Sequence, residues 1–215
     1  MATQAQVARF VAGNRRIEEL LGRDLRRLWA GLDLANPITV RDSLLGVTPL
    51  LAARYGAVAA ALAAEYFEEI MSVTPALGAG VDGLRVQAST RWALGPLFDG
   101  VPEDALAHLS GALSRHVKQQ GRDVIHESTR VTRGATYARV PSGMDTCDFC
   151  LDMASRGAVY ASRRNAGGEG NDYHDLCNCA PVAVASEADL PDGYDPDALY
   201  EAYAARQAKK QGLTQ

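Results

Sequence analysis

The chain has 215 residues, of which 47 % are hydrophobic and 22 % charged, with a net charge of −4. That is enough apolar material to bury a sizeable core in one or two domains. The charge excludes a strongly basic duplex-binding protein: no segment carries the excess of cations that many phosphate contacts need, and residues 136–215 hold seven basic against twelve acidic side chains.

Residues 1–135 read as helices. Val7, Phe10, Val11, Ile17, Leu20, Leu21, Leu25, Leu28 and Trp29 recur at helical steps, with Arg15, Arg16, Arg23, Arg26 and Arg27 as a basic face between them. A second helix is predicted from near Thr39 to about Met71. Its face is read as Leu44, Val47, Leu51, Tyr55, Val58, Leu62, Tyr66 and Ile70, and the alanines from Ala57 to Ala64 predict the close approach of a neighbouring helix. Its stretch Leu44 to Ala64, interrupted by Gly46, Arg54 and Gly56, makes a poor membrane span, and no membrane partner is expected. A third helix is predicted over Leu84 to Phe98, with Trp92, like Trp29, placed in the core. A fourth runs from Glu103 to about Arg130, with Pro102 at its start.

Composition then changes. Thr136 to Val140 alternates as a strand, and Thr146 is expected to cap a short helix carrying Cys147, Cys150, Leu151 and Met153. Val159-Tyr160 reads as a short pairing segment, Asn165 to Asp172 as a glycine-rich loop, and Pro181 to Ala185 as a closing strand. From Pro196 comes a short helix, then Lys209-Lys210 and a frayed end. The fold class expected is mainly α with a small C-terminal α+β module resembling a zinc knuckle. The boundaries are 1–135 for the helical region, 136–190 for the Cys/His module, and 191–215 for a short helix and flexible tail. Met1 to Gln6 has no basic and apolar signal-peptide pattern, so the thiols are expected in a reducing compartment.

All four cysteines and one of the four histidines fall between positions 147 and 179. Cys147 and Cys150 form a Cys-x-x-Cys pair, and His174, Cys177 and Cys179 follow within six residues. A closed tetrahedral metal site requires four thiolate or imidazole donors and this window offers five, and Zn2+ in a structural role is the expected ion. One donor is spare. His174 with one of Cys177 and Cys179 is placed beside the first pair, and the spacing does not decide between those two cysteines. Two disulfides, unligated buried thiols and a redox pair are the competing uses of the same residues.

The block Tyr137-Ala138-Arg139-Val140-Pro141-Ser142-Gly143, then Thr146-Cys147-Asp148-Phe149-Cys150-Leu151-Asp152-Met153-Ala154-Ser155-Arg156-Gly157-Ala158-Val159-Tyr160, then Tyr173-His174-Asp175-Leu176-Cys177-Asn178-Cys179, resembles the MuF-like minor capsid, or head morphogenesis, proteins of tailed bacteriophages, and in particular their short actinobacteriophage forms. Leu25-Arg26-Arg27-Leu28-Trp29, Leu51-Ala52-Ala53-Arg54-Tyr55-Gly56 and Ser89-Thr90-Arg91-Trp92-Ala93 agree with it, so the likeness spans roughly residues 20–185. It implies a virion structural protein, made in the host cytoplasm and lodged in the capsid interior or at the portal vertex. Its implied partners are the portal protein and the major capsid or scaffold protein, and the basic first helix adds non-specific contact with packaged DNA. Some relatives are described as capsid maturation proteases. For that alternative Cys147 or Cys150 with His174 and Asp152, Asp172 or Asp175 can be written as a triad, as can Ser142, Ser155 or Ser162 with His126 or His174. A nuclease is the weaker alternative, since the acidic C-terminal segment is ill suited to phosphate. The expectation is a protein without catalytic residues.

Overall fold

Seven helices and two strands are described in a computed structural model that covers residues 4–141, 146–162, 175, 177, 179–186 and 189–212. Helix α1 spans Gln4–Ala30 and buries Val7, Phe10, Ile17, Leu21, Leu25 and Trp29 along one side. Helix α2 spans Pro37–Met71, with Pro37 in the first turn and Asn36 capping it through Thr39 N. Its buried face is Val40, Leu44, Thr48, Ala52, Tyr55, Ala59, Ala63, Tyr66, Phe67 and Ile70. Val58, expected on that face, is exposed: the row turns toward the small residues that let a partner in.

That partner is α5, Pro102–Val131. A Cβ on its Gly121 would stand 2.9 Å from Ala59 O and 3.6 Å from Ala63 Cβ, so only glycine permits this approach. The alanine run therefore does what its composition predicts. Pro49 sits inside α2 without ending it. Proline has no N–H to give to the carbonyl four residues back. Here the orphaned Leu45 O accepts from Gln87 Nε2 at 3.1 Å, which ties α2 to the next helix. By length and composition α2 could cross a membrane, with a mean hydropathy of 1.4 over its most apolar stretch. In the fold it is the spine against which α1, α5 and the helix carrying Gln87 pack.

The predicted third helix is two: α3, Gly83–Ala93, and α4, Gly95–Phe98. Gly95-Pro96 is the reason, since Pro96 cannot donate to Trp92 O and its ring opposes a continuing helix. Trp92 does not enter the core as expected. It is 63 % exposed and stacks on His108 with ring centroids 5.2 Å apart, whereas Trp29 is buried.

Strands β1, Thr136–Pro141, and β2, Cys179–Val184, pair antiparallel with Thr136 opposite Val184 and Pro141 opposite Cys179. Tyr160 adds an isolated bridge to Tyr137. The sheet closes over one end of the helices, where Phe10, Tyr66, Phe67, Val124 and Ile125 meet Tyr137, Ala138, Val182 and Val184 in one apolar cluster. Tyr66 Oη donates to Ala183 O at 3.0 Å and pins strand to helix. Between the strands lies α6, Asp148–Ala154. Helix α7, Pro196–Lys210, is capped by Asp195 and docks on α6. It runs through Lys209 and Lys210, which the sequence reading left outside it, because Lys210 Nζ reaches Asp148 Oδ2 at 2.5 Å and Gln207 Nε2 reaches the same oxygen at 3.1 Å.

Candidate metal centre

Helix α6 begins on a thiol. Cys147, not Thr146, is the N-cap residue, and its Sγ accepts from Cys150 N at 3.3 Å. This leaves the Cys150 side chain one turn on, pointing inward and 1 % exposed. Strand β2 starts two residues earlier than its sequence suggests, at Cys179. Residues two apart on an extended chain share a face. Cys177 and Cys179 accordingly point the same way, and the choice between them dissolves: the Sγ atoms of Cys150, Cys177 and Cys179 all lie within 4.8 Å of one another, all buried. Cys147, half-buried, packs against the three. His174 lies outside the described residues.

All four cysteines are free thiols. Cys150 Sγ and Cys177 Sγ are 3.5 Å apart, far longer than the ~2.05 Å of a disulfide. Zinc–sulfur bonds of about 2.3 Å at tetrahedral angles would separate two thiolates by about 3.8 Å. The spacing is compatible with these thiolates sharing one metal ion. Cys177, accepting from Cys150 and Cys179 and lying near the Arg122 guanidinium, is held well below the usual thiol range. Cys150, which gives its proton to Cys177 and Cys179 and is buried, is pushed far up. Cys179 gains from Cys150, but its bond to Cys177 and its burial outweigh that gain and push it up to about 12.

Two buried and two half-buried cations lie around this stretch of chain. Arg122 on α5 donates from Nη2 to Cys177 O at 3.1 Å and to Cys179 O at 3.0 Å. Lys118, one turn earlier, donates to Cys177 O at 3.0 Å and pairs with Glu18 of α1. Arg115, one turn earlier again, bonds Asp175 through Nε at 2.5 Å. Arg139 of β1 is fully buried, with Nη2 3.7 Å from Cys150 Sγ and its guanidinium over the Phe149 ring. The spacing of the thiol and imidazole donors does not by itself single out these four cations. The signal was present: Arg115, Lys118 and Arg122 share one face of a helix whose other inward positions are mostly apolar. The cavity beside Arg122 and Cys179 holds only about 30 Å³, room for about one water and no substrate.

The triads written from the sequence fare differently. Asp152 is engaged by Arg156 at 2.6 Å, Asp175 by Arg115, and Ser155 Oγ donates to Asp152 O at 2.8 Å. His126 is buried against the Tyr137 ring. Ser142 and Asp172 lie outside the described residues. One serine–histidine contact that the sequence did not indicate is present: Ser89 Oγ and His116 Nε2 are 2.9 Å apart, with Arg115 Nη2 3.4 Å from the same hydroxyl. Burial, then the neighbouring Arg115, lowers His116 to about 4, so its ring is neutral near pH 7.

The family model described as VG15 protein matches residues 1–206, through the helical body, the thiol cluster and most of α7. No curated protein and no solved structure matches the chain. VG15 is a family of viral, phage gene products. Matched over nearly its whole length, the chain belongs to the VG15 protein family and is a phage protein.

Proposed function

We propose that this phage protein is a minor capsid component of the MuF-like kind. In this reading it associates with the portal or the inner capsid shell during head assembly and holds its C-terminal module together with a structural zinc ion. The observation that carries the metal part is the convergence of three buried thiols from two distant stretches of chain. Cys150, Cys177 and Cys179 would hold the ion, with Cys147 or His174 as the fourth donor. The ion supplies cross-linking: it fastens the start of α6 to the start of β2, and adds to the apolar contacts that hold the sheet. The virion part rests on the phage family together with the position of the thiols within the block that resembles MuF-like proteins.

Residues 1–135 supply the assembly contacts in this reading. Portal, major capsid or scaffold protein is a better match for α1 than packaged DNA, because its basic face is partly neutralised: Arg16 pairs with Glu19 at 2.8 Å and Arg23 with Asp24 at 3.4 Å. Co-expression with portal, scaffold and capsid proteins tests this. The tagged chain is expected in purified procapsids and in a portal pull-down, and its exclusion from both would overturn the assignment. A second reading, a capsid maturation protease, has the Ser89–His116 contact in its favour. Cleaved capsid products that disappear with Ser89→Ala would establish it.

A further inference from the structure

A metal bound by three or four thiolates is an anionic centre, and here it would sit against two guanidiniums that are themselves almost wholly removed from water: Arg122 at 3 % exposure and Arg139 at 0 %. They come from different elements, α5 and β1, and approach different parts of the cluster. Arg139 faces the Cys150 sulfur, while Arg122 holds the carbonyls of Cys177 and Cys179 themselves. Taking a guanidinium out of water costs several kcal/mol unless an opposite charge is near. A thiolate cluster bearing excess negative charge has the complementary need.

We propose that Arg122 and Arg139 form a cationic layer around the metal centre and set its affinity as positioning residues, not as ligands. This deepens the metal reading above and rests on it. Arg122 acts in two ways. Its positive charge offsets the thiolates, and its single Nη2 bridges Cys177 O and Cys179 O, so both sulfurs stay turned toward Cys150. Because Arg122 belongs to α5, and Lys118 on the same helix joins Cys177 O to Glu18 of α1, loading the ion also fixes the module against the helical body. Outer-layer groups of this kind typically change metal affinity by 10- to 100-fold.

The test is zinc competition against a chromophoric chelator, using the full chain with Arg122→Gln and Arg122→Lys. Glutamine keeps a donor for the carbonyls and loses the charge; lysine keeps the charge. Arg122→Gln is expected to bind zinc 10- to 100-fold more weakly, and Arg122→Lys to retain most of the parent affinity. Arg139→Gln is the parallel variant, so failure of one protein to fold leaves the other to decide. A glutamine variant within twofold of the parent, or a lysine variant as weak as the glutamine one, overturns the proposal and leaves the metal reading standing. A parent chain that binds no zinc overturns both.

Discussion

The two ends of the helical body are stabilised by different physics. At the end where α3 and α4 lie, the core is Leu21, Leu25, Leu44, Leu94, Leu97, Leu109 and Leu113, and its buried polar groups are few and paired, as Thr48 with Thr90 at 2.8 Å. At the other end the same three long helices meet the sheet over a second apolar cluster that includes Phe10, Phe67, Val124 and Tyr137, and beside it Arg122, His126, Ser128, Thr129, Arg139 and three thiols are buried as well. Apolar packing stabilises a structure on its own. A cluster of buried cations and thiols stabilises only when its charges are matched, and removing one partner then costs far more than a lost methyl group. One end thus rests on apolar packing alone, while the other adds to its apolar core a thiol and cation cluster whose contribution turns on the matching of its charges.

On the proposed metal reading, the sharpest way to break this comparison is to take the ion away. Chelation, or Cys177→Ser, is expected to expose α6 and β2 to protease while α1, α2 and α5 stay helical by circular dichroism and protected in hydrogen exchange around Leu109. The effect should be the largest available, of the order of the ~10 kcal/mol that structural zinc contributes to small domains. A single cooperative melt, with both ends lost together after chelation, would show that the division does not exist.

Why the sequence yields one end so readily and the other only in part has a physical answer. A helix advertises itself through local periodicity, so α1, α2 and α5 are legible from the spacing of Leu25, Leu44 or Leu113, and only local chemistry such as Gly95-Pro96 splits an expected helix. The thiols are legible as candidate metal donors because they are rare and clustered. Their arrangement is not, because it depends on the register of β2 with β1, which places Cys179 opposite Pro141 and aligns Cys177 with it. Arg122 and Arg139 were invisible for the same reason: a buried arginine reads as a surface one until its long-range neighbours are known. Trp92 is the converse case, an aromatic residue whose size suggests the core but whose helix face looks outward.

The comparison is sharpened by a cut at the apolar end. Leu113 is 1 % exposed within the cluster that contains Leu109 and Leu97. Leu113→Ala is expected to cost about 2–5 kcal/mol in denaturant unfolding, from lost burial and the cavity left behind. It should not change zinc affinity measured on the folded protein, because the thiols lie in a separate cluster. A drop in zinc affinity beyond threefold would mean that the two ends are coupled through α5 more strongly than their separate cores indicate.

The smallest expected effect concerns α7, which is held to the module by charge. Asp148 takes Lys210 and Arg206 from that helix, and the Lys210 hydrogen bond, ahead of the Arg206 contact, holds its carboxyl below the usual carboxylate range. A carboxyl whose folded value is depressed stabilises the docked state at every pH above its unfolded value, ~3.9, and loses that contribution as pH falls through the folded value. Docking of α7 should therefore be indifferent to pH between about 5 and 8 and weaken only below the carboxylate range. Because the pair faces water, high salt should weaken it at neutral pH as well. Asp148→Asn is expected to raise the exchange rate of amides near Tyr203 at pH 7 to the rate that the parent reaches in acid, with zinc content unchanged. If α7 stays protected in this variant, its attachment rests on apolar contact with α6 and the ion pairs are incidental.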